Sequence, residues 1–345
     1  MLESTFPPSP AASPSVVGHS DRSPTTSFND SGTTTSSRST TSAAPPEASL
    51  PSDAYQSFTG PGGEVRLRYA YNTNGAANHR LDDALVLIAE AGYDGVALTL
   101  DHHHHDPFAP DFAGRNAQLD SRLRELNLGL VIETGARYLL DPRQKHEPTL
   151  LSPSAAGRAR RVEFLVRCLD LCAACGGETV SFWAGVPQPA VRTEQAWEWL
   201  LEGLIQVAVA AKERGVVASL EPEPGMLVET VDDYLRVRQA VPDLRLALDT
   251  GHLLVTNERD PAAAVREFAS LLGTVALEDM RRGVHEHLPF GEGDMDVPAV
   301  LKALHAIRFS GLVCVELSRE SHRAHTMIPQ ALAFLRQAER QLLPT

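Results

Sequence analysis

Aromatic side chains make up only 6% of this chain, and no apolar run approaches the roughly 18 residues that a membrane-spanning helix needs. The short runs predict a soluble protein. Cysteines number four, three of them in one helix-like stretch. That spacing excludes a disulfide framework and points to a reducing, cytoplasmic setting. Positive charge is also scarce, since 31 Lys and Arg stand against 44 Asp and Glu for a net charge of −13. Nucleic acids and anionic membranes are held by clustered cations. Beyond Arg158-Ala159-Arg160-Arg161 no such cluster stands out, so neither partner is expected. What the chain does have is 43% hydrophobic content over 345 residues, enough to fill a sizeable core.

Residues 1–62 differ from the rest. They are mostly Ser, Thr, Pro, Ala and Gly, with runs such as Thr33-Thr34-Thr35-Ser36-Ser37 and no apolar period. Such a segment buries too little surface to offset its ordering entropy, so a disordered tail is expected. It lacks the basic start and apolar stretch of a secretory signal, and Arg22 and Arg38 are outnumbered by Glu3, Asp21, Asp30, Glu47 and Asp53, unlike a transit peptide.

Over residues 63–345 short β-rich runs alternate with segments of helical period. The spacing predicts strands at 65–71, 95–100, 128–133, 178–182, 216–221, 245–249, 274–278 and 312–317. Helices are predicted at 79–91, 111–126, 155–175, 193–214, 230–240, 261–272, 297–307 and 328–342. Gly92, Gly176, Gly215 and Gly311 sit where helices should stop, and Thr193 and Asp260 where helices should start. The alternation and length match an α/β fold of the (β/α)8 TIM barrel type. An open doubly wound sheet is the competing architecture, but no Gly-rich phosphate turn follows the first strand.

In such a barrel the site forms where strands end and loops begin. Those ends hold the run Asp101-His102-His103-His104-His105-Asp106, then Glu133, Trp183, Glu221-Pro222-Glu223, Asp249-Thr250-Gly251-His252, Glu278-Asp279 and Glu316. Ionisable groups at buried strand ends need partners or a metal, and converging carboxylates and imidazoles suit a divalent ion. Glu221 and Glu223 share a face by period two, with Glu221 preferred as ligand and Glu223 as substrate contact or loop acid. His102 is the substrate-contact candidate of its run, together with His104. Arg281 and Arg282 are read either as a clamp for an anionic group or as a solvated pair, and Trp183 as a wall against a sugar face or a packing residue. Cys168, Cys172 and Cys175 fall on one helix face and read as core.

Four segments together resemble the xylose isomerase-like barrel superfamily of sugar phosphate isomerases and epimerases, which includes the endonuclease IV branch. They are Leu220-Glu221-Pro222-Glu223-Pro224-Gly225, Leu248-Asp249-Thr250-Gly251-His252, His285-Glu286-His287-Leu288-Pro289-Phe290-Gly291-Glu292-Gly293 and Val315-Glu316. The resemblance implies metal ligation by Glu221, Asp249 and Glu316, with His252 as a further ligand or substrate contact. It departs at strand seven, where Ala276 replaces a family histidine, leaving His285, His287 or Glu278 to supply the fourth ligand. The implied chemistry is isomerisation or epimerisation of a sugar, sugar phosphate or related polyol. Mn, Co, Mg or Zn would hold the substrate oxygens, and Glu221 and Glu316 would move the proton through a metal-bound enediolate. Loss of a β-hydroxyl on the same site would make an inosose-type dehydratase, and the endonuclease branch would make a metal phosphodiesterase. A homo-oligomer is compatible with such barrels.

Overall fold

Residues 66–342 are described by a computed structural model; the expected tail lies outside the described residues. Eight parallel strands close into a barrel in the order β1-β10-β7-β6-β5-β4-β3-β2. They are β1 (Arg68–Asn72), β2 (Gly95–Thr99), β3 (Gly129–Glu133), β4 (Thr179–Trp183), β5 (Val217–Glu221), β6 (Arg245–Asp249), β7 (Leu272–Leu277) and β10 (Leu312–Val315). The strands are buried on both faces, which explains why they read as continuous apolar runs. Small residues such as Ala70, Ala97, Val131 and Cys314 form their own buried cluster with Leu312. Bulkier Leu, Ile, Val and Phe side chains form the larger core.

Around the barrel run α1 (Leu81–Ala91), α2 (Phe112–Glu125), α3 (Ala155–Ala174), α4 (Thr193–Arg214), α5 (Val231–Ala240), α6 (Thr250–Thr256), α7 (Pro261–Glu267), α8 (Val297–Ala306) and α9 (Ala324–Leu342). Asp260 caps α7, its side chain accepting from the Ala263 amide with Pro261 in the first turn. A capping box between Thr230 and Asp233 starts α5. Thr193, in contrast, is inside α4, whose N-cap is Arg192 without a side-chain hydrogen bond. Gly92 and Gly215 end α1 and α4 in the left-handed conformation. Gly311 does not play that part: α8 stops earlier, and the left-handed residue there is Arg308. Among the described residues no helix is long and apolar enough to cross a membrane.

Two elements were not expected from sequence. One is α6, a seven-residue helix starting directly at Asp249. The other is an antiparallel hairpin of β8 (Asp279–Arg281) and β9 (Val284–Leu288), outside the barrel sheet. Its turn contains Gly283, whose φ of 71° suits glycine. Asp279 anchors the segment that follows, accepting from the Gly291 and Met295 amides at 2.8 and 2.9 Å.

Candidate active site

Asp249 is the pivot of the mouth. It ends β6 and caps α6, its Oδ1 accepting from the Gly251 and His252 amides at 2.7 and 3.1 Å. Oδ2 is buried and meets no amide or hydroxyl donor; the groups beside it are His252 and Glu278, whose protonated carboxyl would donate to Asp249. A buried carboxylate charge is costly, and a cation is a natural partner for it. Burial opposes the Asp249 charge, yet the facing His252, a hydrogen bond from Glu278 and then His287 hold its carboxyl below the ordinary value. Gly251 must lack a side chain, because a Cβ there would stand 2.2 Å from Oε1 of Glu278.

Glu316 follows β10 and is oriented by amides from the end of β1. Asn74 Nδ2 donates at 2.8 Å and Asn72 Nδ2 at 3.3 Å. Asn72 cannot turn over, since its Oδ1 accepts from Thr99 Oγ1 at 2.5 Å and the Asn74 amide at 3.2 Å. Glu221 ends β5, where Ser181 Oγ donates to it at 3.3 Å. Burial, then repulsion from Glu223 and Asp249, lifts the Glu221 carboxyl well above its ordinary value. Burial and the nearby Glu316 push Glu133 up to about 7. Burial also brings Glu223 to about 7, against the pull of His252. Glu278 is fully buried, and burial, the Asp249 charge and a hydrogen bond to Asp249 hold its carboxyl well above the ordinary value, so that it stays protonated and donates to Asp249.

Three imidazoles meet these acids. His252 Nδ1 lies 3.0 Å from the Pro222 carbonyl, which as a pure acceptor makes that nitrogen the donor. Its Nε2 faces Asp249 Oδ2 at 3.4 Å and Glu223 Oε2 at 3.6 Å. Burial opposes its charge, but Asp249 and Glu223 raise its proton affinity above the ordinary value. The alternation of β9 puts His285 and His287 on one face. His285 reaches Glu223 at 3.7 Å and His287 reaches Glu316 at 4.0 Å. Burial, with His252 and His287 beside it, lowers His285 to about 4. Ligand atoms fall within 4.8 Å of one another in three overlapping sets: Glu221–Asp249–His252, Asp249–His287–Glu316 and Glu223–His252–His285. Asp249 belongs to two of them. The donors are carboxylate oxygens and imidazole nitrogens, a set that fits a divalent ion.

The mouth thus gathers Glu133, Glu221, Glu223, Asp249, His252, His285, His287 and Glu316. Ala276 lies beside Asp249 in the β6–β7 register and lines the same cavity as Glu133, Glu221 and Glu316. Of the other candidates Trp183 stands beside Glu221 in the β4–β5 register, whereas His102, Arg281 and Arg282 make their contacts outside this set. His102 has a side chain 73% exposed and turned to Asp101. Trp183 is buried, with Arg161 4.3 Å over its ring and His146 against its edge. Arg281 donates to the Glu292 carbonyl, and Arg282 reaches Asn257. Ser181, Thr99 and the orienting role of Asn72 and Asn74 escaped sequence reasoning. Neutral polar residues at strand ends give no pattern apart from ordinary loop chemistry.

The family model described as xylose isomerase-like TIM barrel matches residues 85–338. Inosose dehydratases are similar in sequence. That of Clostridium perfringens is 25% identical over 149 residues, 38% of this chain and 50% of its own length. That of Geobacillus kaustophilus is 28% identical over 152 residues, 39% of this chain and 49% of its own. The chain therefore spans about half the length of the curated relatives it matches. Among solved structures, D-allulose 3-epimerase from Methylomonas sp. superposes with a TM-score of 0.61 at 23% identity, over 79% of this chain and 97% of that one. The IOLI protein with a bound zinc atom superposes with a TM-score of 0.63 at 16% identity, over 81% of this chain and 100% of that one. At these identities the superpositions bear on the fold.

Proposed function

The chain belongs to the xylose isomerase-like TIM barrel family, and from that footing we propose that it is a divalent-metal-dependent isomerase or epimerase of a sugar, sugar phosphate or related polyol. The observation that supports this most directly is the pair of ligand sets sharing the buried carboxylate of Asp249. Glu221, Asp249, Glu316 and His287 would hold the ion, with His252 as a further ligand or substrate contact. When bound, the ion supplies positive charge beside a substrate carbonyl and so acidifies the neighbouring carbon-bound proton. Mn, Co, Mg and Zn all suit the donor set.

The protein's own part is to place two carboxylates for proton transfer. Glu316, fixed by Asn72 and Asn74, removes the proton from substrate carbon. Glu221, ionised as a ligand but with a high proton affinity, would draw a proton from solvent once the substrate is deprotonated and return it from the other face. Geometry before proton affinity decides such roles, and the amide clamp gives Glu316 the more defined position. Return to the same carbon gives an epimer, and return to its neighbour gives an isomer. A dehydratase is the second reading, favoured by the inosose dehydratases among the sequence relatives. There the same abstraction is followed by loss of a β-hydroxyl.

The test joins Mn2+ binding to proton exchange. Asp249→Asn keeps an acceptor for the α6 amides while removing the charge. One Mn2+ per chain is expected in the wild type and none at equal concentration in this variant. Solvent deuterium should enter a carbon-bound position of ketoses or inososes only in the wild type, and net loss of water would select the dehydratase. Failure of Mn2+, Co2+ and Mg2+ to bind, or unchanged exchange in Asp249→Asn, would overturn the proposal.

A further inference from the structure

Four consecutive histidines leave β2, and the fold sends them to different destinations. The turn is closed by reciprocal backbone hydrogen bonds, Asp101 amide to His104 carbonyl at 3.3 Å and His104 amide to Asp101 carbonyl at 3.1 Å. Asp101, buried at 6% exposure, accepts from the His102 amide at 2.7 Å. The same oxygen, Oδ1, faces His102 Nδ1 at 2.9 Å. His103 Nε2 lies 2.8 Å from the Ala77 carbonyl, and His104 Nε2 lies 2.9 Å from the His79 carbonyl. His105 turns instead toward α2, with Nε2 2.8 Å from Asn116 Oδ1.

A carbonyl only accepts, so Nε2 of His103 carries the hydrogen and Nδ1 presents its lone pair. Orientation of a ligand imidazole by a carbonyl on its other nitrogen is a common feature of metal sites. One oxygen of Asp101 and one nitrogen each of His102 and His103 lie within 4.8 Å of one another. Metal bonds of about 2.0–2.1 Å in a tetrahedron set ligand atoms about 3.3 Å apart. Atoms that lie within 4.8 Å of one another need close by no more than an ångström or so to reach that spacing. His102, 73% exposed, can make that adjustment, while Asp101 is buried and His103 is held by the Ala77 carbonyl.

We propose that Asp101, His102 and His103 form a second metal site on the rim, separate from the mouth and selective for a zinc-like ion. Two imidazoles and a carboxylate favour such borderline-soft ions over Mg2+ or Mn2+, and three protein ligands leave a fourth position for water. Because His103 and His104 tie this turn to Ala77 and His79, a bound ion would brace the loop after β2 against the loop after β1. The argument uses none of the mouth residues and stands whether or not that site binds Mn2+.

The test is zinc titration of the full-length Asp249→Asn/His252→Ala double variant, which breaks every ligand set at the mouth, against a chromogenic chelator, with circular dichroism to verify folding. One zinc per chain is expected in this background. Asp101→Asn, near-isosteric, and His103→Ala should each weaken it at least tenfold, while His105→Gln should leave it unchanged. Equal weakening by His105→Gln would mean that zinc rides on a pliable histidine tract, and would overturn the proposal. Indifference to Asp101→Asn, or no zinc bound at micromolar concentration, would overturn it as well. If His103→Ala fails to fold, the Asp101→Asn result decides.

Discussion

Mn2+ binding at the mouth should release protons, because Glu221 must give one up. Its carboxyl is buried and repelled by Glu223 and Asp249, so the folded protein holds that proton well above the ordinary glutamate range. Asp249 is shifted the other way, mainly by His252 against the opposing effect of burial, and arrives ionised. Carboxylate ligation requires the ionised form, so at any pH below that raised range about one proton should leave Glu221 per ion bound. His252, whose proton affinity is raised by Asp249 and Glu223 despite burial, adds a second if its ring coordinates. Protonation competes with the metal, so affinity strengthens as pH rises. Each displaced proton changes the association constant about tenfold per pH unit, or about 1.4 kcal/mol. Over two units below the folded proton affinity this is roughly a hundredfold for one proton and about ten-thousandfold for two. Calorimetry between pH 5.5 and 7.5, in buffers of different ionisation enthalpy, counts the protons directly. Glu221→Gln should bind Mn2+ more weakly and with a slope lower by about one. A flat wild-type profile, or an unchanged slope in Glu221→Gln, would refute the assignment of Glu221 as a protonated ligand.

Three other substitutions separate positioning from stability. Asn74→Ala removes the 2.8 Å donor to Glu316; a hydrogen bond to a charged group contributes about 1.5–3 kcal/mol, so kcat should fall roughly 10- to 100-fold on the best substrate with little change in Mn2+ content. Gly251→Ala drives a methyl against Glu278; overpacking of this kind costs about 1–3 kcal/mol, visible as a lower denaturant midpoint and reduced Mn2+ affinity. Thr230→Ala breaks the α5 capping box and should cost about 0.5–2 kcal/mol in denaturant melts, with metal binding unchanged.

The barrel was legible because each strand is buried on both faces and reads as a short apolar run between helical periods. The run Arg245-Leu246-Ala247-Leu248-Asp249 shows this, and its predicted bounds match β6. The acids at strand ends were legible for a related reason, since charge terminating an apolar run has to face the mouth. The hairpin was not. In β9, Val284 is exposed, His285 and His287 point into a polar mouth, and Glu286 pairs outward with Arg319. Such a ribbon has no apolar side to register as period two. The α6 helix, at seven residues, is too short for a helical period to show. Predicted helix 261–272 overran because Phe268 and Leu271 continue an apolar pattern, whereas α7 stops at Glu267 and β7 begins at Leu272.

The alanine at position 276 and the hairpin have a common physical logic. Ala276 stands in register beside Asp249, so the neighbouring strand offers no ligand at that point. The chain then leaves β7, buries Glu278 against Gly251, and folds back so that β9 brings His287 to Asp249 and Glu316. A ligand on a two-stranded ribbon is less rigidly held than one inside a barrel strand. Asp279 offsets that looseness by fixing the following turn through the Gly291 and Met295 amides. The acids nearest the cavity are meanwhile met by amides, a hydroxyl and imidazoles, which stabilise a carboxylate less than a guanidinium does. A mouth built this way stays electrostatically strained until positive charge enters it. The proposed preference for a divalent ion thus rests on the arrangement of the acids as much as on the identity of any one proposed ligand.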